Sequence, residues 1–294
     1  MRAALLATAV GCSAVGAAQI PAAAASANPK ASTSMTARQV IAAIQAATGA
    51  APPANTVDTI KAGNPDTVVT GVVVTFMDTY AVLEKTVALG ANLVITHEPT
   101  FYNHPDDLAA LPGDAVTAQK LEYIRAHGLV VWRFHDTWHL MQPDGILAGD
   151  VRALGWEKYQ DAGHAHLFHL PETTVGALAK EVEQKLGSHA LQVVGDRAMN
   201  VRTVGLLPGA SGLQKQTRLL GQDGVDVLVA GESAQWEGVA WALDAAAEGR
   251  AKALILIGHE ASEEAGMEYC AEWLRPILPS VKITWVPAGE PWAR

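Results

Sequence analysis

The chain has 294 residues, 49% of them hydrophobic, which is enough apolar material for one large domain or two modest ones and too much for a disordered chain. Its formal charge of -9 leaves no basic stripe, so nucleic-acid binding is excluded and a small molecule or a protein is the expected partner. Only Cys12 and Cys270 are present, so no internal disulfide framework holds the fold, and stability must come from core packing, oligomerisation or metal.

The opening "MRAALLATAVGCSAVGAAQIPAAAASANPKASTSM" has one early arginine, an apolar run from Ala3 to Ala18, small residues around Pro21 and a polar tract. This is the pattern of an export signal, with A-x-A-like cleavage sites between Ala23 and Ala27. Residues 1–35 are therefore expected to be signal and linker, Cys12 leaving with them, and the product to be periplasmic or secreted. No later segment has the roughly 18 consecutive apolar residues of a membrane span.

"MTARQVIAAIQAATG" places Val40, Ile41, Ile44 and Ala47 at helical spacing and stops on Gly49. Then follow a β-branched strand (66–77), a helix (80–90), an apolar strand (92–96), a helix (114–128) and a strand (129–134). The alternation returns near the end, with strands at 225–230, 253–258 and 281–286 and helices at 234–249 and 262–278. Continuous apolar strands joined by crossover helices predict an α/β fold with a mostly parallel sheet and helices on both faces. Residues 164–204, one helix flanked by short strands, predict a small inserted α+β subdomain. The expected division is thus a discontinuous domain, 36–163 and 205–294, interrupted by 164–204.

Three apolar strands end in ionisable clusters. "NLVIT" runs into His97 and Glu98, "LVVWRF" into His135, Asp136 and His139, and "ALILIG" into His259, Glu260, Glu263 and Glu264. Carboxyl ends of strands in an open α/β sheet share one crevice, so these residues are expected to converge. Imidazole and carboxylate without thiolate suit zinc, manganese, iron or nickel, and more than four candidate ligands imply two divalent ions. His259 and Glu263, four apart, can share one helix face. Each fragment alone reads as an exposed polar pair or a strand-end loop; the shared position after three strands carries the metal reading. His164, His166 and His169 read as one face of a solvated strand, and His104, His127 and His189 as structural.

At the level of motifs, "GANLVITHEPTFY" resembles "GADLLITHHPLFF" and "GHEASEEAG" resembles "GHxxTExxG", the two metal signatures of the NIF-three-like family, whose members often carry a GTP cyclohydrolase label. "GVVVTFMDTYAVLEKTVALG" and "DVLVAGESAQWEGVAWA" resemble further segments of that family, and the likeness runs over residues 37–294. The resemblance implies a dinuclear metal centre in a homo-oligomer, commonly a hexamer with its metal sites facing an inner cavity. By position it implies ligands at His97, Glu98, His259 and Glu263, with a central element at His135 and His139. The chain departs from the pattern at Glu98, where the family has histidine, and at His139, where it has aspartate. Such an exchange keeps the ligand total and nominal charge, but leaves open the metal and whether Asp136 or His139 is the central ligand.

The expected function is a metal-dependent hydrolase of a small polar substrate using a metal-bridged water. Its metal ligands would be His97, Glu98, His139, His259 and Glu263, with Asp136 as ligand or catalytic base and His135 supporting them. Glu232 would orient a ligand histidine or sit on the rim. "GLLPGASG" (205–212) lacks the lysine of a phosphate-binding P-loop and reads as a strand-to-helix turn. The alternative is a non-catalytic metal-binding scaffold, which would need the same residues.

Overall fold

The structure is a computed structural model and describes residues 34–292; the stretch expected to be an export signal, with Cys12, lies outside the described residues. Residues from Ser34 onward form a single compact unit. It opens with α1 (Ala37–Thr48), closed at its start by a Thr36/Gln39 capping box and at its end by Gly49 in the left-handed region. Then come β1 (Ile60–Ala62), β2 (Val72–Thr75), α2 (Tyr80–Ala88), β3 (Leu93–Thr96), α3 (Ala115–Ala126), β4 (Val130–Arg133), α4 (Asp136–Leu140) and α5 (Gly145–Leu154). The second half runs β5 (Leu167–Thr174), α6 (Val175–Leu186), β6 (Gln192–Val194), β7 (Asn200–Leu207), α7 (Leu213–Leu220), β8 (Val227–Ala230), α8 (Ala240–Ala247), β9 (Ala253–Leu256), α9 (Glu264–Ile277) and β10 (Ile283–Trp285).

These strands make two mostly parallel five-stranded sheets, one ordered β1-β4-β3-β2-β10 and the other β5-β7-β8-β9-β6. In the first, β4, β3, β2 and β10 are parallel and only β1 runs against its neighbour. In the second, β7, β8 and β9 are parallel between the antiparallel edges β5 and β6. Every residue of β2, β3, β4, β8 and β9 is buried, as expected of strands covered on both faces by helices. The strands of 164–204 do not stand apart from the rest. β5, β6 and β7 complete the sheet of β8 and β9, and only β10 returns to β2. The reason is that a buried parallel strand has the same composition in either sheet, so its membership is decided by distant partners.

One apolar core joins α1 and α9 to the first sheet, and a second joins α5 and α6 to the other. α5 belongs to both, with Ile146 in the first core and Leu147, Val151 and Leu154 in the second. It crosses α9 so closely that a Cβ on Gly149 would stand 2.5 Å from the backbone of Ala265 and Gly266. No helix among the described residues is long and apolar enough to cross a membrane.

Candidate metal centre

The carboxyl ends of β3, β4 and β9 bring their clusters together, although β9 belongs to the second sheet. His97 and Glu98 follow β3 directly, and their backbone N–H groups donate to Phe76 O at 3.1 and 2.8 Å. His135 precedes α4, and its N–H and the first two of the helix have a remote acceptor. The buried Asp58 carboxylate takes the backbone N–H of His135, Asp136 and Thr137, each at 2.8 Å. His139 lies one turn further on, and a single 3₁₀ turn separates His259 from Glu263 at the head of α9.

Each of these four histidines has its Nδ1 occupied. That of His97 meets Phe134 O at 3.2 Å, that of His135 meets Asp136 Oδ1 at 2.9 Å, and that of His139 meets Asp144 Oδ2 at 2.9 Å. His259 Nδ1 lies 3.3 Å from Glu232 Oε1. A carbonyl or carboxylate oxygen only accepts, so Nδ1 must carry the hydrogen, and the neutral rings of His97 and His135 present their lone pairs at Nε2; His259, with a carboxylate at each nitrogen, favours the protonated form that a cation would displace. Holding the far nitrogen in this way is how proteins fix a metal-binding imidazole.

The carboxylates of Glu98 and Glu263 stand among these Nε2 atoms. Glu263 Oε2 is 3.4 Å from His97 Nε2 and 3.2 Å from His259 Nε2, while Glu98 Oε1 is 3.7 Å from Nε2 of both His135 and His259. The His97, His135 and His139 rings pack with centroids 4.6–4.9 Å apart. Two sets have ligand atoms within 4.8 Å of one another, His97 with His135 and His139, and His97 with Glu98 and Glu263. His97 is completely buried, and its Nε2 has no hydrogen-bond partner. Its lone pair therefore faces the lone pairs of Glu263, an arrangement that a cation between them would turn from repulsive to favourable. The His/Glu cluster thus fits a metal ion.

Protonation answers to the same crowding. Burial, reinforced by the charges of His135 and His139, holds His97 well below the usual imidazole range. Burial and then His139 push His135 down to about 4. Burial also pulls on His139, but its hydrogen bond with Asp144 and the surrounding carboxylates raise it. For His259, burial is outweighed by Glu232, Glu263 and Glu98, and it rises to about 10. Glu98 is raised by burial, against the charge of His259.

Of the residues expected from the sequence, His97, Glu98, His139, His259 and Glu263 meet here. The roles of the adjacent pair differ from expectation. His135 presents Nε2 to the cluster, while Asp136 is in neither set and both its oxygens are engaged, Oδ1 by His135 and Oδ2 by Thr56 Oγ1 and Val57 N at 2.9 and 3.1 Å. Its geometry is that of a carboxylate orienting His135. Glu264 is directed away, to Trp285 Nε1 and Ala288 N at 3.1 and 3.0 Å.

Other contributors carried no such signal in the sequence. Arg133, fully buried at the end of β4, donates to His97 O at 2.9 Å and to His104 O, and so pins the loop after β3. Asp144 both caps α5 and holds His139. Gly209, in the turn "GLLPGASG", has φ 62°, and a Cβ there would lie 2.1 Å from Glu263 Oε1 and 3.2 Å from His259 Nε2. The cluster opens into a cavity of about 1010 Å³ that His164 and His166 also line, so these two are not on a solvated face.

The sequence model of the family described as Duf34/NIF3 (NGG1p interacting factor 3) matches residues 36–288. No curated protein matches the chain. Among solved structures, a Bacillus cereus protein related to NIF3 superposes with a TM-score of 0.72 at 15% identity, over 88% of this chain and 99% of its own. The Staphylococcus aureus hypothetical protein SA1388 gives 0.71 at 15%, over 89% and 99%. The protein ybgI, of unknown function, gives 0.68 at 19%, over 88% and 100%. At these identities the structures share the fold.

Proposed function

We propose that the chain, which belongs to the Duf34/NIF3 family, is a metal-dependent hydrolase of a small polar substrate, with two divalent transition-metal ions at the His/Glu cluster. The observation that carries this reading is the set of four imidazoles tied back through Nδ1, with their Nε2 atoms gathered around Glu98 and Glu263 beside a cavity of about 1010 Å³. Nitrogen and oxygen donors without thiolate suit zinc, manganese, iron or nickel. The ions would be held by Nε2 of the histidines and by the carboxylates of Glu98 and Glu263. When bound, the ions would polarise a carbonyl or phosphoryl group and lower the pKa of a water.

The chain's own residues then position and hold protons. Asp136, Asp144 and Glu232 keep the Nδ1 hydrogens of His135, His139 and His259 in place, and Arg133 fixes the backbone of His97. In this reading Asp136 acts through His135 and does not abstract a proton from substrate. A non-catalytic scaffold would need the ligands but no cavity, and the cavity favours the hydrolase. Assembly as a homo-oligomer, the hexamer implied by resemblance, and export with loss of residues 1–35 complete the proposal; light scattering and N-terminal sequencing of secreted protein test them.

The deciding measurement is metal content by mass spectrometry for the wild type and His97→Ala/His259→Ala. About two transition-metal ions per chain, lost in a variant that still folds, is the expected result. No metal in either protein after loading would overturn the reading.

A further inference from the structure

The cavity has a second end that the metal cluster does not use. Ser211, Lys215, Arg218, Leu219 and Gln222 all line it. Their spacing of four, three, one and three residues puts them on one face of α7 and its flanks, so this helix turns a single side toward the cavity that holds the cluster. Lys215 and Arg218 carry the only side-chain charges of α7.

Neither cation has a partner. Both are exposed side chains on the wall of the cavity. Among the described residues, Lys215 and Arg218 enter no ion pair and no side-chain hydrogen bond. Together they set two cations without carboxylate partners on one face of an eight-residue helix that lines the same cavity as the His/Glu cluster.

His166 links the two ends. Its Nδ1 donates to Leu206 O at 2.9 Å, which leaves the lone pair on Nε2, and the ring lines the cavity. Burial lowers its protonation, and of the nearby charges Asp144, which holds His139, raises it while Lys215 lowers it. The ring therefore lies within the reach of both the metal cluster's support and the cationic wall.

We propose that the α7 face is the anion-binding end of the substrate site, Lys215 and Arg218 holding a terminal oxyanion, phosphate or carboxylate, while the bond to be hydrolysed reaches the His/Glu cluster. Arg218 offers a forked donor set and Lys215 a point charge, and both bind oxyanions through charge-assisted hydrogen bonds. His166 Nε2 accepts from a hydroxyl or N–H between the two ends. The substrate class is thus a small anionic ester or amide with a donor group near its middle. This rests on the hydrolase reading only for the role of the far end.

The test titrates inorganic phosphate into full-length, chelator-treated protein, followed by phosphorus NMR, in a His97→Ala/His259→Ala background that removes metal binding. Adding Lys215→Gln/Arg218→Gln is expected to raise Kd about tenfold or more, as expected for losing charge-assisted bonds, whereas Lys180→Gln on the exposed face of α6 leaves it unchanged. Metal content of Lys215→Gln/Arg218→Gln alone should equal that of the wild type. No phosphate binding, an unchanged Kd in the α7 variant, an equal loss at Lys180, or loss of metal from the α7 variant would each overturn the proposal. A wild type without metal would remove the hydrolase reading, and the oxyanion site would then stand or fall on the phosphate titration.

Discussion

Gly209→Ala places a methyl group against the centre of the site. The new Cβ would lie 2.1 Å from Glu263 Oε1 and 2.9 Å from its Cδ, far inside van der Waals contact. The backbone cannot retreat, because Gly209 N donates to Ser262 Oγ at 2.8 Å, Gly209 O accepts from Glu232 N at 3.2 Å, and Gly231 packs against it from behind. The Glu263 carboxylate must therefore leave His97 and His259. Two costs add, about 1–2 kcal/mol for a side chain at φ 62° and roughly 1–3 kcal/mol for overpacking. Gly212→Ala is the control, since it also has positive φ, at 78°, but nothing within 4 Å of its Cβ. Urea unfolding of metal-free protein should show both variants destabilised, by about 1–3 kcal/mol for Gly212→Ala and roughly 2–5 kcal/mol for Gly209→Ala. Metal titration separates them: Gly212→Ala should bind as the wild type does, and Gly209→Ala at least about tenfold more weakly. Equal metal affinities in the two variants would refute the placement of Gly209 against the ligands.

Asp136→Asn and Asp144→Asn, which disturb the hydrogen bonds at His135 and His139, should each weaken metal binding by about 10–100-fold, measured by competition with a chelating dye. A normal metal affinity with activity abolished in Asp136→Asn would instead make Asp136 the catalytic base. Arg133→Met removes a fully buried guanidinium from His97 O and His104 O and should cost roughly 3–5 kcal/mol in urea unfolding; a loss below about 1 kcal/mol would show that the loop after β3 holds without it. Burial, against the charge of Lys120, raises the carboxyl of Asp78 from 3.8 to about 6. The folded chain then keeps a proton there that the unfolded chain releases, so this group's stabilisation is full below 3.8 and lost as pH rises through 6. The unfolding free energy of the wild type relative to Asp78→Asn/Lys120→Met should accordingly fall, by at most about 3 kcal/mol, across that window. A flat difference would refute the shift.

The legible parts of the fold were those with local signals. β2, β3, β4, β8 and β9 announce themselves by unbroken apolar runs, and α1 by its spacing and its terminal glycine. α5 was missed because "GILAGDVRAL" carries two glycines, poor helix formers that are present because Trp138 and α9 press against them. α7, short and polar, is anchored by Leu219 and Leu220, which pack into the apolar core around β8. Sheet membership was not legible, since β8 and β9 are as fully buried as β2, β3 and β4 and differ from them in their partners. In the site, the strand-end histidines and glutamates stood out because such groups are costly after a buried strand. Their supports did not: Asp58 is 77 residues from His135, and Asp144 reads as an ordinary helix cap. Gly209 reads as a turn, and only the fold shows what it makes room for.

The division into two sheets changes the meaning of the site. His97, Glu98, His135 and His139 belong to the first sheet, and His259 and Glu263 to the loop leaving the second, so the approach of His97 Nε2 to Glu263 Oε2, at 3.4 Å, spans the two. Had all six residues stood on one sheet, backbone pairing would fix their spacing and a cation would add little to the fold. Here that spacing depends on α5 and α9 crossing at Gly149 and Gly266, where a Cβ on either glycine would run into the backbone of the other helix. The same helix begins at Asp144, which holds His139, and α9 begins at Glu263. A change in how the two helices cross must move ligands on both sheets at once. The glycine crossing, beside the buried Asp150 and one turn from Glu263, is therefore part of the metal centre's geometry.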